Sequence, residues 1–109
     1  MQISVSSQRS GNVLTVRVVG DVDLATSWTV ENAILDAIAV DGVTAVRVDL
    51  SGVEFLDSSG VALLLKGRRA ADERGVAFRV TDAHGIPRQV LEMTGVWPHL
   101  IGDPDPAAS

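Results

Sequence analysis

The chain has 109 residues, enough for one domain with one core. A formal net charge of −5 argues against nucleic acid and anionic membrane surfaces, and it favours a partner with a basic patch. There is no cysteine, which excludes disulfides and thiol chemistry, and with only 4% aromatic residues the core must rest on Val, Leu, Ile and Ala.

Ile3 and Val5 suggest a first strand, Gly11-Asn12 a turn, and Leu14, Val16 and Val18 a second strand that closes a hairpin with the first. After Gly20-Asp21-Val22-Asp23-Leu24, Thr26 or Ser27 can cap a helix. Its apolar face would be Trp28, Val30, Ala33, Ile34, Ala37 and Ile38, and Asp41-Gly42 would stop it. The alternating Val46, Val48 and Leu50 read as a third strand, followed by a short loop holding Gly52, Val53, Phe55 and Leu56. A second helix opens at Asp57-Ser58-Ser59-Gly60 and runs to Gly75, with Lys66, Arg68 and Arg69 in the half that the helix dipole prefers for cations. Val76, Phe78 and Val80 make a fourth strand. Pro87 suits the first turn of a third helix, whose apolar face would be Ile86, Val90, Leu91 and Met93 and whose end is Gly95. Val96 to Ile101 is expected to add a short final strand. The tail Gly102 to Ser109, GDPDPAAS, has the composition of a disordered segment, so the domain is expected to span residues 1–101.

The resulting order, ββαβαβα with a final β, implies an α/β domain. Its mixed, mostly parallel sheet is flanked by helices and opens with an antiparallel hairpin. In such sheets sites gather where strands end and helices begin. Two loops qualify, Gly20 to Thr26 and Phe55 to Gly60, and the topology brings Asp21 or Asp23 close to Ser58. At the second helix start one of the adjacent hydroxyls of Ser58 and Ser59 can cap the helix, and the other is left over. Two readings follow: a helix cap and nothing more, or a serine that accepts phosphate. The second is favoured by free N–H groups at a helix start, by the small Gly60, and by the acidic Asp57, Asp21 and Asp23 nearby. A phosphate of about −1.5 to −2 charges added there would repel an acidic partner surface.

Serine nucleophile chemistry needs a base oriented by a third group. Nothing places His84 or His99 beside Ser58, and GVEFLDSSG lacks the G-x-S-x-G elbow. The Asp21/Asp23 pair resembles half of a magnesium site, but no further ligands join it, so an acidic loop before a helix is the simpler reading. No phosphate-cradling glycine motif is present, and no cofactor or metal is expected. Trp28 and Trp97 read as core or edge packing. No apolar run approaches the ~20 residues that span a bilayer, and MQISVSSQRS lacks a signal-peptide core. The expectation is a soluble, cytoplasmic protein.

Three segments resemble one family. Gly20-Asp21-Val22-Asp23 resembles a Gly-acidic-apolar-Asp turn, Asp49 through Gly60 (DLSGVEFLDSSG) a hallmark segment, and Met93-Thr94-Gly95-Val96 a closing helix-end motif. Together, over about Val13 to Val96, they are similar to STAS-domain proteins of the anti-sigma factor antagonist type. Ala62 departs from the pattern, standing where many members carry glycine. The resemblance implies a non-enzymatic binding protein that works by partner switching. Unphosphorylated, it would bind an anti-sigma factor with a kinase-like ATPase fold and so free a sigma factor. That partner would phosphorylate the first serine of D-S-S-G, Ser58, and a PP2C-type phosphatase would reverse the step. The implied contact residues are Asp21, Asp23, Asp57, Ser58, Ser59 and Gly60. The alternative within the family is a small STAS subunit of a lipid-transport ABC system or a stress-signalling complex, binding its partner whatever the state of Ser58.

Overall fold

A computed structural model describes residues 3–101. Strands β1 (Ile3–Ser10) and β2 (Val13–Val22) form the expected hairpin around Gly11-Asn12, with Ser10 opposite Val13. Then follow α1 (Leu24–Ile38), β3 (Ala45–Leu56), α2 (Ser58–Glu73), β4 (Ala77–Thr81), α3 (Gly85–Met93) and α4 (Trp97–Ile101). The sheet order is β1-β2-β3-β4, antiparallel between β1 and β2 and parallel in the other two pairs. Each parallel pair is joined by one crossover helix, as parallel neighbours require.

The period-2 pattern sorts the two faces of the sheet. Leu14, Val16 and Val18 of β2, Val46, Val48 and Leu50 of β3, and Phe78 and Val80 of β4 are buried in one apolar cluster with Val30, Ile34, Leu63 and Leu64 of α1 and α2. The alternate positions, Thr15, Arg17, Arg47, Asp49, Arg79 and Thr81, share the other face and are polar. The two crossover helices pack closely at Gly67: a Cβ there would sit 2.9 Å from Ile34 Cγ2 and 3.2 Å from the Phe78 ring. Lys66 of α2 also reaches Glu31 of α1 at 3.3 Å.

β3 is longer than its alternation implied, because the segment Gly52–Leu56 is strand and not loop. Its buried positions run 46, 48, 50 and then 53 and 56, two slips out of phase. Both slips coincide with register shifts against β2. From Arg17–Asp49 to Val19–Gly52, and again from Gly20–Val53 to Asp21–Phe55, β3 uses one more residue than β2. Each extra residue is a bulge that turns the strand and exchanges its faces. A reading by strict alternation loses the strand at the first of them.

The expected final strand is a helix. Pro98 cannot donate to a strand ladder but fits the first turn of a helix. His99 N–H and Leu100 N–H instead donate to the Val96 carbonyl, at 2.9 and 3.2 Å, and Leu100 is fully buried. Arg68 of α2 donates to the His99 carbonyl at 2.9 Å, tying α4 to α2. On α3 the buried positions are Pro87 and Leu91, while Ile86 and Met93, expected on its apolar face, are exposed. Trp28, expected on the apolar face of α1 as core or edge packing, is 70% exposed: α1 starts earlier than its hydroxyl residues suggested, and Val30, Ile34, Ala37 and Ile38 turn inward without it. Trp97 is half-buried and lies under the Arg88 guanidinium, 4.9 Å from ring centroid to Cζ, an edge-packing role. The expected tail, 102–109, lies outside the described residues.

Candidate functional site

The parallel register of β2 and β3 decides the site. Val22 and Leu56 are partners at the ends of their strands, and Asp57 N–H donates to the Val22 carbonyl at 3.2 Å. Asp23 and Asp57 therefore follow paired residues on neighbouring strands, and α1 and α2 begin side by side. The sequence expectation that the two loops come together is met.

Both helices are capped by an aspartate and neither by a hydroxyl, which corrects two expectations. At α1 the cap is Asp23, not Thr26 or Ser27. Asp23 Oδ1 accepts from Thr26 N–H at 3.0 Å, and Thr26 Oγ1 accepts from Asp23 N–H at 2.9 Å, a reciprocal capping box. The Thr26 hydroxyl donates to the Asp21 carbonyl at 2.8 Å. At α2 the cap is Asp57, whose Oδ1 accepts from Ser59 N–H at 2.9 Å and Gly60 N–H at 3.4 Å. Each aspartate holds the cap because it directly follows the last paired residue of its strand, with the extended backbone that an N-cap needs.

With the cap assigned to Asp57, both hydroxyls are spare. Ser58 is the first helical residue and is exposed; Ser59 is half-buried. Neither hydroxyl has a hydrogen-bond partner among the described residues. Gly60 is buried, so its smallness serves packing: an added Cβ would lie 2.6 Å from Leu56 Cγ and 3.1 Å from Val22 Cγ1. That lack of a side chain lets α2 start against the two strand ends. Ala62, the departure from the family pattern, is exposed one turn into α2.

Two residues not singled out in the sequence complete the surface. Leu24, directly after the α1 cap, is 79% exposed, and Phe55, two residues before the α2 cap, is 40% exposed. A large apolar side chain bordering a capping aspartate was a signal available in the sequence, but Phe55 read as part of a loop interior. The surface thus combines carboxylates at Asp21, Asp23 and Asp57, an accessible hydroxyl, and two apolar side chains that water does not favour.

The site offers an accessible hydroxyl beside carboxylates and apolar side chains. His84 Nε2 lies 2.9 Å from the Ser51 carbonyl, which requires that this nitrogen carry the proton it donates. His99 lies on α4. Among the described residues neither histidine bonds Ser58, and no group of three or more His, Asp or Glu side chains could hold a metal ion. Among the same residues no helix is long and apolar enough to cross a membrane.

Comparison with known proteins agrees with the geometry. The family model described as Mlab, STAS domain, matches residues 5–100. The anti-sigma-F factor antagonist RsfB of Mycobacterium tuberculosis is 31% identical over 94 residues, covering 86% of this chain and 75% of that one. The crystal structure of an anti-sigma factor antagonist from Mycobacterium paratuberculosis superposes with a TM-score of 0.81 at 28% identity, covering 92% of this chain and 83% of the other. SpoIIAA of Bacillus, an anti-sigma factor antagonist, matches in its unphosphorylated form with a TM-score of 0.76 at 21% identity, covering 95% and 90%, a likeness of fold alone.

Proposed function

The chain belongs to the STAS domain family, and from that premise we propose that it is an anti-sigma factor antagonist switched by phosphorylation of Ser58. It is a binding protein and not an enzyme. Its partner is an anti-sigma factor with a kinase-like ATPase fold, and binding releases a sigma factor. Phosphate transferred from that partner to Ser58 ends the complex, and a PP2C-type phosphatase restores it in the cytoplasm.

The observation that carries this reading is the Ser58 hydroxyl. It is exposed at the first position of α2, free of any capping duty because Asp57 takes that role. A kinase can reach it without unfolding anything. Leu24 and Phe55 provide the apolar contact area, and Asp21, Asp23, Asp57 and Ser59 the polar rim. In the unmodified state this surface already carries three carboxylates, so a further negative charge falls among like charges. Phosphate at Ser58 changes the local charge by about −1.5 to −2 and adds bulk at the centre of the contact. The fold itself has no reason to move, because the hydroxyl supports nothing in it.

The test is affinity for the anti-sigma factor recovered with the protein from its native cell, measured by calorimetry, with phosphopeptide mapping of the recovered chain. Ser58→Ala is expected to bind as the unmodified protein does and to resist phosphorylation. Ser58→Asp is expected to bind more weakly by about tenfold or more, since like charges across an interface cost several kcal/mol. Full affinity in Ser58→Asp would overturn the switch. It would point instead to a STAS subunit that holds its partner in either state, as in a transport or stress-signalling complex.

A further inference from the structure

The two edges of the sheet are finished differently. β4 is five residues long, and α4 packs against it. β1 has eight residues, and among the described residues it pairs on one side only, with β2. It carries none of the devices that protect an edge. ISVSSQRS contains no proline and no lysine, and its register with β2 runs without a bulge. A row of backbone N–H and C=O groups therefore stands open to another strand.

The helix layer leaves the same edge bare. α1 packs mainly over β2, so β1 forms a ledge beside it. A groove of about 580 Å³ runs along this ledge. Its floor holds Val5 and Ser7 of β1 and Leu14 of β2. Its wall is a stripe of exposed residues spaced four apart, Trp28, Asn32 and Asp36 on α1 and Val40 in the turn that ends it.

The order of the stripe selects its occupant. In sequence it is apolar, amide, carboxylate, apolar. Turned end for end about its midpoint, it sets Trp28 against Val40 and Asn32 against Asp36. An amide N–H then faces a carboxylate that can accept it, and two exposed apolar side chains cover each other. A two-fold axis makes that reversal, and it also runs β1 antiparallel to its own copy near Ser6 and Ser7. The spacing agrees. Pairing β1 with β1 puts the two β2 strands three strand spacings apart, about 14 Å. Helices in direct contact stand about 8–10 Å apart. The two α1 helices therefore face a gap that a large side chain must fill, and Trp28, 70% exposed, is the largest on the stripe.

We propose that the chain forms a two-fold dimer through β1 and the α1 stripe, with the two sheets joined edge to edge. α2 packs over β3 and β4, away from this edge, so the Ser58 surface of each copy stays open. The dimer presents two such surfaces at once and does not rest on the switch proposed for them.

Sedimentation velocity and light scattering of the full chain, between about 1 μM and about 1 mM, read the association. A rise with concentration to twice the mass of one chain is expected. Trp28→Ala is expected to weaken association by about tenfold or more, because it removes the side chain that fills the gap. Ser7→Lys sets two like charges near the axis and is expected to leave a monomer over the same range. Asn32→Asp places carboxylate against carboxylate and is expected to weaken the dimer. Adding Asp36→Asn to it restores an amide–carboxylate pair with the roles exchanged, and the dimer is expected to return. All these side chains are exposed, and circular dichroism checks the fold of each variant. A parent chain that stays monomeric throughout would overturn the proposal. So would a dimer that neither Trp28→Ala nor Ser7→Lys weakens, or a double exchange that restores nothing. The Ser58→Asp result bears on none of these outcomes.

Discussion

The two helix starts of the rim are built from the same parts and put to opposite use. At α1 an aspartate, a hydroxyl two residues into the helix and the strand-end carbonyl close on one another. Thr26 is 6% exposed and its oxygen serves the Asp23 N–H, the Asp21 carbonyl and the Asp23 carboxylate. At α2 the aspartate alone does the capping, and the adjacent hydroxyl of Ser58 faces solvent with nothing to hold. The lesson is that a modifiable hydroxyl has to be redundant. The carboxylate of Asp57 makes Ser58 redundant, while at α1 the hydroxyl is part of the cap and closed to chemistry.

The contrast can be broken most severely at Gly60. Gly60→Ala forces a Cβ against Leu56 and Val22 and should destabilise the fold by about 1–3 kcal/mol, despite the better helix propensity of alanine. Urea unfolding measures it, and a neutral result would show that α2 does not depend on close approach to the strand ends. Next in size is Thr26→Val, which keeps the shape but leaves the Asp23 N–H and the Asp21 carbonyl without their partner. A loss of about 1–2 kcal/mol is expected, with faster amide exchange in the first turn of α1 but not of α2. Smallest is Ser58→Ala, which should change stability by no more than about 0.5 kcal/mol. Comparable losses in Thr26→Val and Ser58→Ala would erase the distinction between a working hydroxyl and a spare one.

Much of this was legible in the residues. The alternation at Leu14-Val16-Val18, Val46-Val48-Leu50 and Phe78-Val80 marked three strands. The helical spacing of Val30, Ile34, Ala37 and Ile38 marked α1, and two helices placed between successive strands implied a parallel sheet. The juxtaposition of Asp21 and Asp23 with the D-S-S-G segment followed from that topology alone. Other features were not legible because they depend on competition between residues of similar type. Asp23, Thr26 and Ser27 are all good caps, and so are Asp57, Ser58 and Ser59. Propensity cannot choose among them, whereas the end of the strand ladder can. Val96–Ile101 has the apolar content of a strand, but β4 is met by a helix whose Leu100 is buried and whose Pro98 needs no partner.

What the chain determined by itself was periodicity and charge: the first seven elements in their order, and an acidic rim at one end of the sheet. These are local properties, carried by spacing along the backbone. The tertiary structure alone decided the phase of β3 past Gly52 and the identity of both caps, and with them the exposure of Ser58, Leu24 and Phe55. The two bulges exist only as a register between β2 and β3, and a register is a relation between segments about thirty residues apart that no single stretch of sequence contains.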